Sequence, residues 1–215
     1  MAYKAIIFDL DGTLVDTLAD LTNSMNFALA KFDQPGHQPH QCREMIGSGL
    51  DVFVGKALSI EKQHLKDKVL SAMLSHYGDN CLKNSRLYEG IADMINKLSK
   101  MGVRLAILTN KQQPFAKQIV EHFFENGVFE LVAGAHGAQA VKPGIKMTMK
   151  IVDSMGLVPR DFLFVGDSDV DIQTAARAQI RSVAVAWGFR QRELLARAQP
   201  DVIIDKPDEI LDLVA

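Results

Sequence analysis

Six short runs of β-branched and aliphatic residues, each leaving into a turn or helix start, constrain the fold of this chain more than any other feature. They are Ala5 to Phe8, Arg104 to Leu108, Leu131 to Ala133, Phe162 to Val165, Ser182 to Ala186 and Val202 to Ile204. Runs of this length, apolar throughout and separated by stretches with helical spacing, are the pattern of parallel strands buried between two helical layers. The alternation breaks between Asp16 and about Ser85, where helical patterns appear and no convincing strand does. Leu18, Leu21, Met25, Ala28, Leu29 and Phe32 share one helix face that stops at Gln34-Pro35-Gly36. A second helix is expected from Glu61 to about Tyr77, with Leu65, Val69, Met73 and Leu74 on one face, and a shorter one over Leu50 to Leu58. The expectation is an α/β chain: a Rossmann-like parallel sheet core over 1–15 and 86–215, with an inserted all-helical cap over 16–85.

Composition narrows the function classes. A hydrophobic fraction of 47% and a charged fraction of 23% are those of an ordinary folded chain. A net charge of -2 opposes a broad nucleic-acid face, because such binding draws its affinity from neutralising phosphates. The apolar run after Met1 is too short for a signal peptide, and no later run spans a bilayer, so the expected setting is cytoplasmic, with no membrane partner. Cys42 and Cys81 form no metal-ligand pattern and read as ordinary part-buried side chains. The six histidines form no ligand pair with the acids and read as surface or packing residues. Oligomeric state, monomer or homodimer, is left open by the sequence.

The stretch Phe8-Asp9-Leu10-Asp11-Gly12-Thr13-Leu14-Val15-Asp16 places two carboxylates two residues apart where the first strand runs out. In extended geometry both point the same way, and the crevice beyond the carboxyl ends of the strands is where open α/β sheets bind ligands. Turn or cap hydrogen bonds are the bland reading of such aspartates. Three further strand ends offer complementary groups: Thr109-Asn110-Lys111, then Val141-Lys142-Pro143-Gly144, then Gly166-Asp167-Ser168-Asp169-Val170-Asp171.

In that order these residues resemble the haloacid dehalogenase superfamily, whose members carry DxDGT, a strand-ending Thr or Ser, a Lys and a GDxxxD acid motif. The resemblance covers nearly the whole chain. The longer match from Asp9 to Thr17, the Thr109-Asn110-Lys111 triplet and the helical insertion look most like the phosphoglycolate phosphatases within that superfamily. It implies a phosphatase in which Asp9 attacks phosphorus and Asp11 serves as general acid and base. It further implies a magnesium ion on the Asp9 carboxylate, the Asp11 carbonyl and the Asp167 carboxylate, with Asp171 supporting the site. Lys142 supplies a fixed positive charge, and Thr109 and Asn110 join the main-chain N–H groups after Asp9 in a phosphate cradle.

The implied partner is a small phosphorylated metabolite. Phosphosugar phosphatase, nucleotidase or pyrophosphatase, and β-phosphoglucomutase-like phosphotransferase are compatible with the same acids, whereas a non-catalytic binder has no reason to keep them crowded at like charge. One departure is Lys142-Pro143-Gly144-Ile145, where relatives often have a second proline. In the cap, Arg43-Glu44-Met45-Ile46-Gly47-Ser48-Gly49-Leu50 is either a tight helix-to-helix turn or a loop whose N–H groups approach a ligand. By resemblance Arg43, Ser48 and Gly49 are specificity candidates. Asp169, Arg190 and Arg192 are expected in solvent.

Overall fold

The computed structural model describes residues 3–136 and 141–214. Eight strands and ten α-helices follow one another as β1 (Ala5–Phe8), β2 (Val15–Asp16), α1 (Leu18–Ala30), α2 (Pro39–Met45), α3 (Leu50–Ala57), α4 (Lys66–Asn80), β3 (Arg86–Leu87), α5 (Ile91–Lys100), β4 (Arg104–Gln112), α6 (Gln113–Phe123), β5 (Leu131–Ala135), α7 (Lys146–Ser154), β6 (Phe162–Gly166), α8 (Asp169–Ala178), β7 (Arg181–Val185), α9 (Arg192–Arg197), β8 (Val202–Ile204) and α10 (Glu209–Val214). Short 3-10 helices at Ile60–Leu65 and Pro159–Asp161 complete the described elements.

The six expected strands form one parallel sheet in the order β5-β4-β1-β6-β7-β8. Its strands are hydrophobic on both sides because helices cover both faces. Ile6, Phe8, Leu105, Ile107, Leu163 and Val165 pack with α5 and α10 on one face, and Ala5, Ile7, Ala106, Leu108, Phe162 and Phe164 pack with α7 and α8 on the other. Helix α5 illustrates why: Ile91, Met94, Ile95 and Leu98 recur at three and four residues, forming one buried stripe. Registration aligns Phe8 with Ile107 on one side and Val165 on the other, so Asp9 emerges beside Leu108 and Gly166.

The differences from the sequence reading are local. Strand β4 continues four residues beyond Leu108, with a shift of register against β5 between Leu108 and Gln112. An irregularity of this kind re-aims side chains without ending the strand, and here it affects Thr109, Asn110 and Lys111. The expected helix from Glu61 starts as the 3-10 turn Ile60–Leu65 and becomes α-helical only at Lys66. Helix α2, unforeseen, occupies Pro39–Met45 with proline at its first turn. Cys42 and Cys81 are fully buried rather than part-buried, and burial pushes both thiols above their ordinary range.

Asp16, the expected start of the inserted segment, ends β2, which pairs antiparallel with β3: Val15 faces Leu87 and Asp16 faces Arg86. The outgoing and returning chains thus run side by side between sheet and helices. Between them, α1 to α4 pack around Met25, Leu29, Phe53, Val69, Met73 and Tyr77.

Asp20, buried in the first turn of α1, fixes the returning chain. Its carboxylate accepts from the Asn84 and Ser85 main-chain N–H groups at 2.8–3.0 Å and from Asn84 Nδ2 and Ser85 Oγ at 2.8 Å. A buried carboxylate is tolerated only when donors surround it, and a two-residue spacing from Leu18 gave no hint of those partners. Asp20→Ala strands two main-chain donors and should destabilise the chain by about 3 kcal/mol. At this size that lowers Tm by roughly 6–12 °C. Thermal denaturation of the variant checks it, and a fall of under about 2 °C would show that the junction is held by other means.

Candidate active site

The crevice at the carboxyl ends of β1, β4 and β6 is built on two glycine positions. The main chain turns sharply after Asp9: the N–H groups of Thr13, Leu14 and Val15 all donate to the Leu10 carbonyl, and Gly12 sits at φ +82°. A Cβ at Gly12 would lie 2.3 Å from an Asp167 carboxylate oxygen, and one at Gly188 would lie 2.3 Å from Asp167 Cβ and 2.4 Å from the Gly12 carbonyl. Both glycines are therefore required for Asp167 to reach the loop that carries Asp9 and Asp11.

Around that turn, three carboxylates approach closely. Oxygens of Asp9, Asp167 and Asp171 lie within 4.8 Å of one another, all buried. Asp171, at the third position of α8, uses both its oxygens: Oδ1 accepts from Lys142 Nζ at 2.6 Å, and Oδ2 accepts from Ser168 N and Oγ at 3.1 and 2.6 Å. The Ser168 pairing is a reciprocal helix cap. Asp167 Oδ2 accepts from the Phe189 N–H at 2.7 Å, and Thr13 Oγ1 reaches its other oxygen at 3.4 Å. Asp9 Oδ1 lies 2.8 Å from Lys142 Nζ, an ion-pair distance, but without hydrogen-bond alignment; it is buried with no donor satisfied on it.

One lysine among three carboxylates leaves the cluster short of positive charge. Burial raises Asp9 from 3.8 to about 7; Lys142 opposes the shift, and the neighbouring Asp171 and Asp11 add to it. Burial likewise raises Asp167 to about 8, reinforced by Asp171 and Asp9 and opposed by the Phe189 N–H and Arg190. For Lys142 burial works against the charge, but Asp171 and Asp9 outweigh it and hold the ammonium above its ordinary range.

A divalent cation with a preference for oxygen fits this donor set: Asp9 keeps a buried oxygen with no donor, and Asp167 sits at a pKa that a cation would pull down. Asp171 is the member of the expected ligand set whose oxygens are already engaged by Lys142 and Ser168, so its place is to hold the lysine.

Lys142 does not follow its strand directly, as the sequence suggested; β5 ends at Ala135. What holds it is Asn110. Asn110 Oδ1 accepts from both the Val141 and Lys142 N–H groups at 2.8 Å, while Nδ2 donates to the Lys142 carbonyl at 3.1 Å and to the Gly47 carbonyl of the inserted helices at 3.0 Å. With its amide committed in this way, Asn110 is a scaffold for the lysine loop rather than a free donor for phosphate. Thr109 is buried at the crevice wall and its Oγ1 accepts from the Lys111 N–H at 3.2 Å. Asp11 has partners of its own: its carboxylate accepts from Thr17 Oγ1 at 2.8 Å and from Lys111 Nζ at 2.9 and 3.0 Å.

The specificity candidates divide. Gly47, at φ +124°, and Gly49, at φ +89° as the cap of α3, form the helix-to-helix turn and also part of the cavity wall. Ser48 lies outside the residues lining the cavity, and the Arg43 side chain is exposed. The carbonyl of Arg43 is what matters: Arg190, expected in solvent, lines the cavity and donates to the carbonyls of Arg43 and Ile46. Arg192 does lie at the surface, paired with Asp205, and Asp169 is exposed. Lys111 and Arg190 are the site residues to which the sequence reading assigned no role. The signal for Lys111 was its place in a strand-end triplet; for Arg190 it was the preceding Gly188-Phe189, which the crowding at Asp167 explains.

The histidines are packing or surface groups, as expected: His76 stacks on Phe27 and meets Ser24 Oγ at 3.0 Å, and His37 bonds the Ala57 carbonyl at 2.8 Å. Among the described residues no helix is long and apolar enough to cross a membrane.

Comparison with known proteins places this geometry. The family model of haloacid dehalogenase-like hydrolases matches residues 6–185. A phosphoglycolate phosphatase of Mannheimia succiniciproducens is 32% identical over 220 residues, covering 99% of this chain and 98% of that protein. One from Aliivibrio fischeri is 33% identical over 210 residues, covering 94% and 92%. Among solved structures, a predicted phosphoglycolate phosphatase from Haemophilus somnus superposes with a TM-score of 0.90 at 30% identity, covering 99% of this chain and 98% of that one. A haloacid dehalogenase-like family hydrolase from Streptococcus pneumoniae gives 0.88 at 25% identity, covering 98% and 97%. The chain belongs to the haloacid dehalogenase-like hydrolase family, on its phosphatase side.

Proposed function

We propose that this chain is a magnesium-dependent phosphatase of small phosphomonoesters that works through a phosphate carried on Asp9, with 2-phosphoglycolate as the foremost substrate. The observation that carries this reading is Asp9 itself, a buried carboxylate with a donor-free oxygen beside Lys142 and two residues before a second acid. The names of the relatives at about 30% identity over the whole chain supply the substrate. The reading includes a cytoplasmic setting, a small phosphorylated partner and no nucleic acid, supported by the balanced net charge of -2 and two buried free thiols.

In the first step an oxygen of Asp9 forms a bond to phosphorus while the ester P–O bond breaks, and Asp11 gives the departing oxygen its proton. In the second, Asp11 takes a proton from water, the water oxygen bonds to phosphorus, and the Asp9–phosphorus bond breaks to release inorganic phosphate. Lys142 offsets the negative charge between the nucleophile and the phosphoryl group, and Thr109 presents its hydroxyl from the same wall. Asp9, Asp167 and the Asp11 carbonyl would hold magnesium, which supplies further neutralisation of that charge.

Among the described residues, those that the inserted helices lend to the cavity, such as Leu21, Ile46, Leu50 and Phe53, carry no cation. A mutase holding a substrate with two phosphates would need one there, so hydrolysis is favoured over phosphoryl return to a second sugar hydroxyl. Arg190, which lines the cavity, is a cation that could meet the carboxylate of a small acid.

Phosphate release should be measured from 2-phosphoglycolate, phosphosugars, nucleotides and pyrophosphate, with and without magnesium. Turnover is expected with magnesium, highest on 2-phosphoglycolate, and Asp9→Asn should lower it on the order of 10⁴-fold or more. Unimpaired turnover in Asp9→Asn would rule out the covalent route.

The carboxylate shifts give a second test. The unfolded chain loses these protons near 3.8, whereas the folded protein keeps them up to about 7 and 8. Without a cation these two groups therefore make stability fall as pH rises through that window. Magnesium competes with those protons, so its effect should grow in the same direction: a Tm rise of roughly 5 °C at pH 8 and much less at pH 5.5. Asp167→Asn should raise Tm at pH 8 without magnesium and lose the magnesium shift. An equal magnesium shift at both pH values would argue that the ion binds elsewhere.

A further inference from the structure

Lys111 is a buried ammonium that the phosphatase reading leaves without a task. Its residue is 5% exposed, and its ammonium contacts both Asp11 carboxylate oxygens, at 2.9 and 3.0 Å, and Tyr77 Oη at 2.7 Å. These directed contacts are all to protein groups. Charge balance is not a sufficient account, since the cation-poor cluster is the one at Asp9, Asp167 and Asp171, where Lys142 already stands.

The two partners of Lys111 come from different parts of the chain. Asp11 lies on the turn after β1, and Tyr77 lies on α4, fully buried among the inserted helices, with its ring edge-on to Phe115 at 5.2 Å. The ammonium also sits 4.7 Å from the Tyr77 ring centroid, within cation–π range. Burial, then Asp11, keeps the phenol protonated well above its ordinary range, so it meets the ammonium as a neutral oxygen. Lys111 reaches both partners because the β4 register shift falls on its segment.

Resting on the phosphatase reading, we propose that Lys111 is a positioning residue for Asp11, gripping both of its carboxylate oxygens, and that Tyr77 anchors this grip to the inserted helices. The proton Asp11 gives the leaving oxygen must be delivered along one direction. A carboxylate held by Thr17 alone, through Oδ1, is free to rotate; one held also by Lys111 through both oxygens is not. A proton donor held in place contributes about 10²–10⁴-fold to the rate, and a small misorientation forfeits much of that. Because Tyr77 belongs to α4, Asp11 is fully aimed only while α4 is seated against β4.

The readout is the dependence on leaving group. An alkyl phosphate such as 2-phosphoglycolate needs a proton on its departing oxygen, whereas p-nitrophenyl phosphate leaves as a stable phenolate without one. With magnesium present, kcat/KM is measured for both on the full chain, and the ratio of alkyl to aryl values is compared. Tyr77→Phe should lower the ratio about 5-fold and Lys111→Met on the order of 50-fold, with Lys111→Arg recovering part of the loss. A ratio unchanged within about twofold in Tyr77→Phe and Lys111→Met would overturn the inference while leaving the phosphatase reading intact. If Lys111→Met does not fold, Tyr77→Phe, which removes one oxygen from a packed ring, decides alone. Wild-type protein that hydrolyses neither ester would overturn the phosphatase reading and this inference together.

Discussion

Everything at the carboxyl edge of the sheet is arranged around one unfavourable fact: three buried carboxylates share a space within 4.8 Å with a single ammonium. Like charges at that separation in a dry crevice repel strongly, and burial adds to the penalty. The protein does not remove the strain but distributes it. Asp171 is saturated by Lys142 and Ser168, Asp167 keeps one main-chain donor at 2.7 Å, and Asp9 is left with a bare oxygen. The least satisfied member is the one at the end of the central strand, facing the cavity. A site with unmet negative charge next to a fixed ammonium is poised for a cation and a phosphoryl group together.

That arrangement explains features far from the acids. The two glycines exist because Asp167 must pass within van der Waals distance of the Gly12 main chain. The Asn110 amide, with four hydrogen bonds, holds the main chain at Val141 and Lys142 and so fixes the lysine. One of those four bonds reaches Gly47, and Arg190 reaches the neighbouring carbonyls of Arg43 and Ile46. The loop between α2 and α3 is thus seated on the core by main-chain carbonyls. Such contacts do not involve the side chains of that loop.

The sheet was legible because buried parallel strands need unbroken apolar runs, and six such runs are hard to place in any other way. The acid motifs were legible because they follow those runs. Lys142 and Asp171 were placed in the right neighbourhood with their relation missed: a helix-capping serine turns Asp171 toward the lysine, and spacing along the chain carries no sign of that rotation. Lys111, Asp20 and Arg190 were illegible for a common reason. Each acts through a partner 64 or more residues away, Tyr77 excepted at 34, and long-range polar pairing leaves no periodic trace. The β2–β3 ribbon escaped because two-residue strands are too short for any pattern.

Several of the polar pairings that escaped the sequence lie where the inserted helices meet the rest of the chain. Asp20 ties α1 to the returning chain, Arg190 and Asn110 hold the α2–α3 loop, and Lys111 joins α4 to Asp11. Apolar contacts join them there: Phe189 belongs to the helical cluster, and Phe115 of α6 packs against it with its ring edge-on to Tyr77. The chain therefore combines an apolar sheet, which keeps the acids in register, with a seam of directed polar bonds that ties the inserted helices to it.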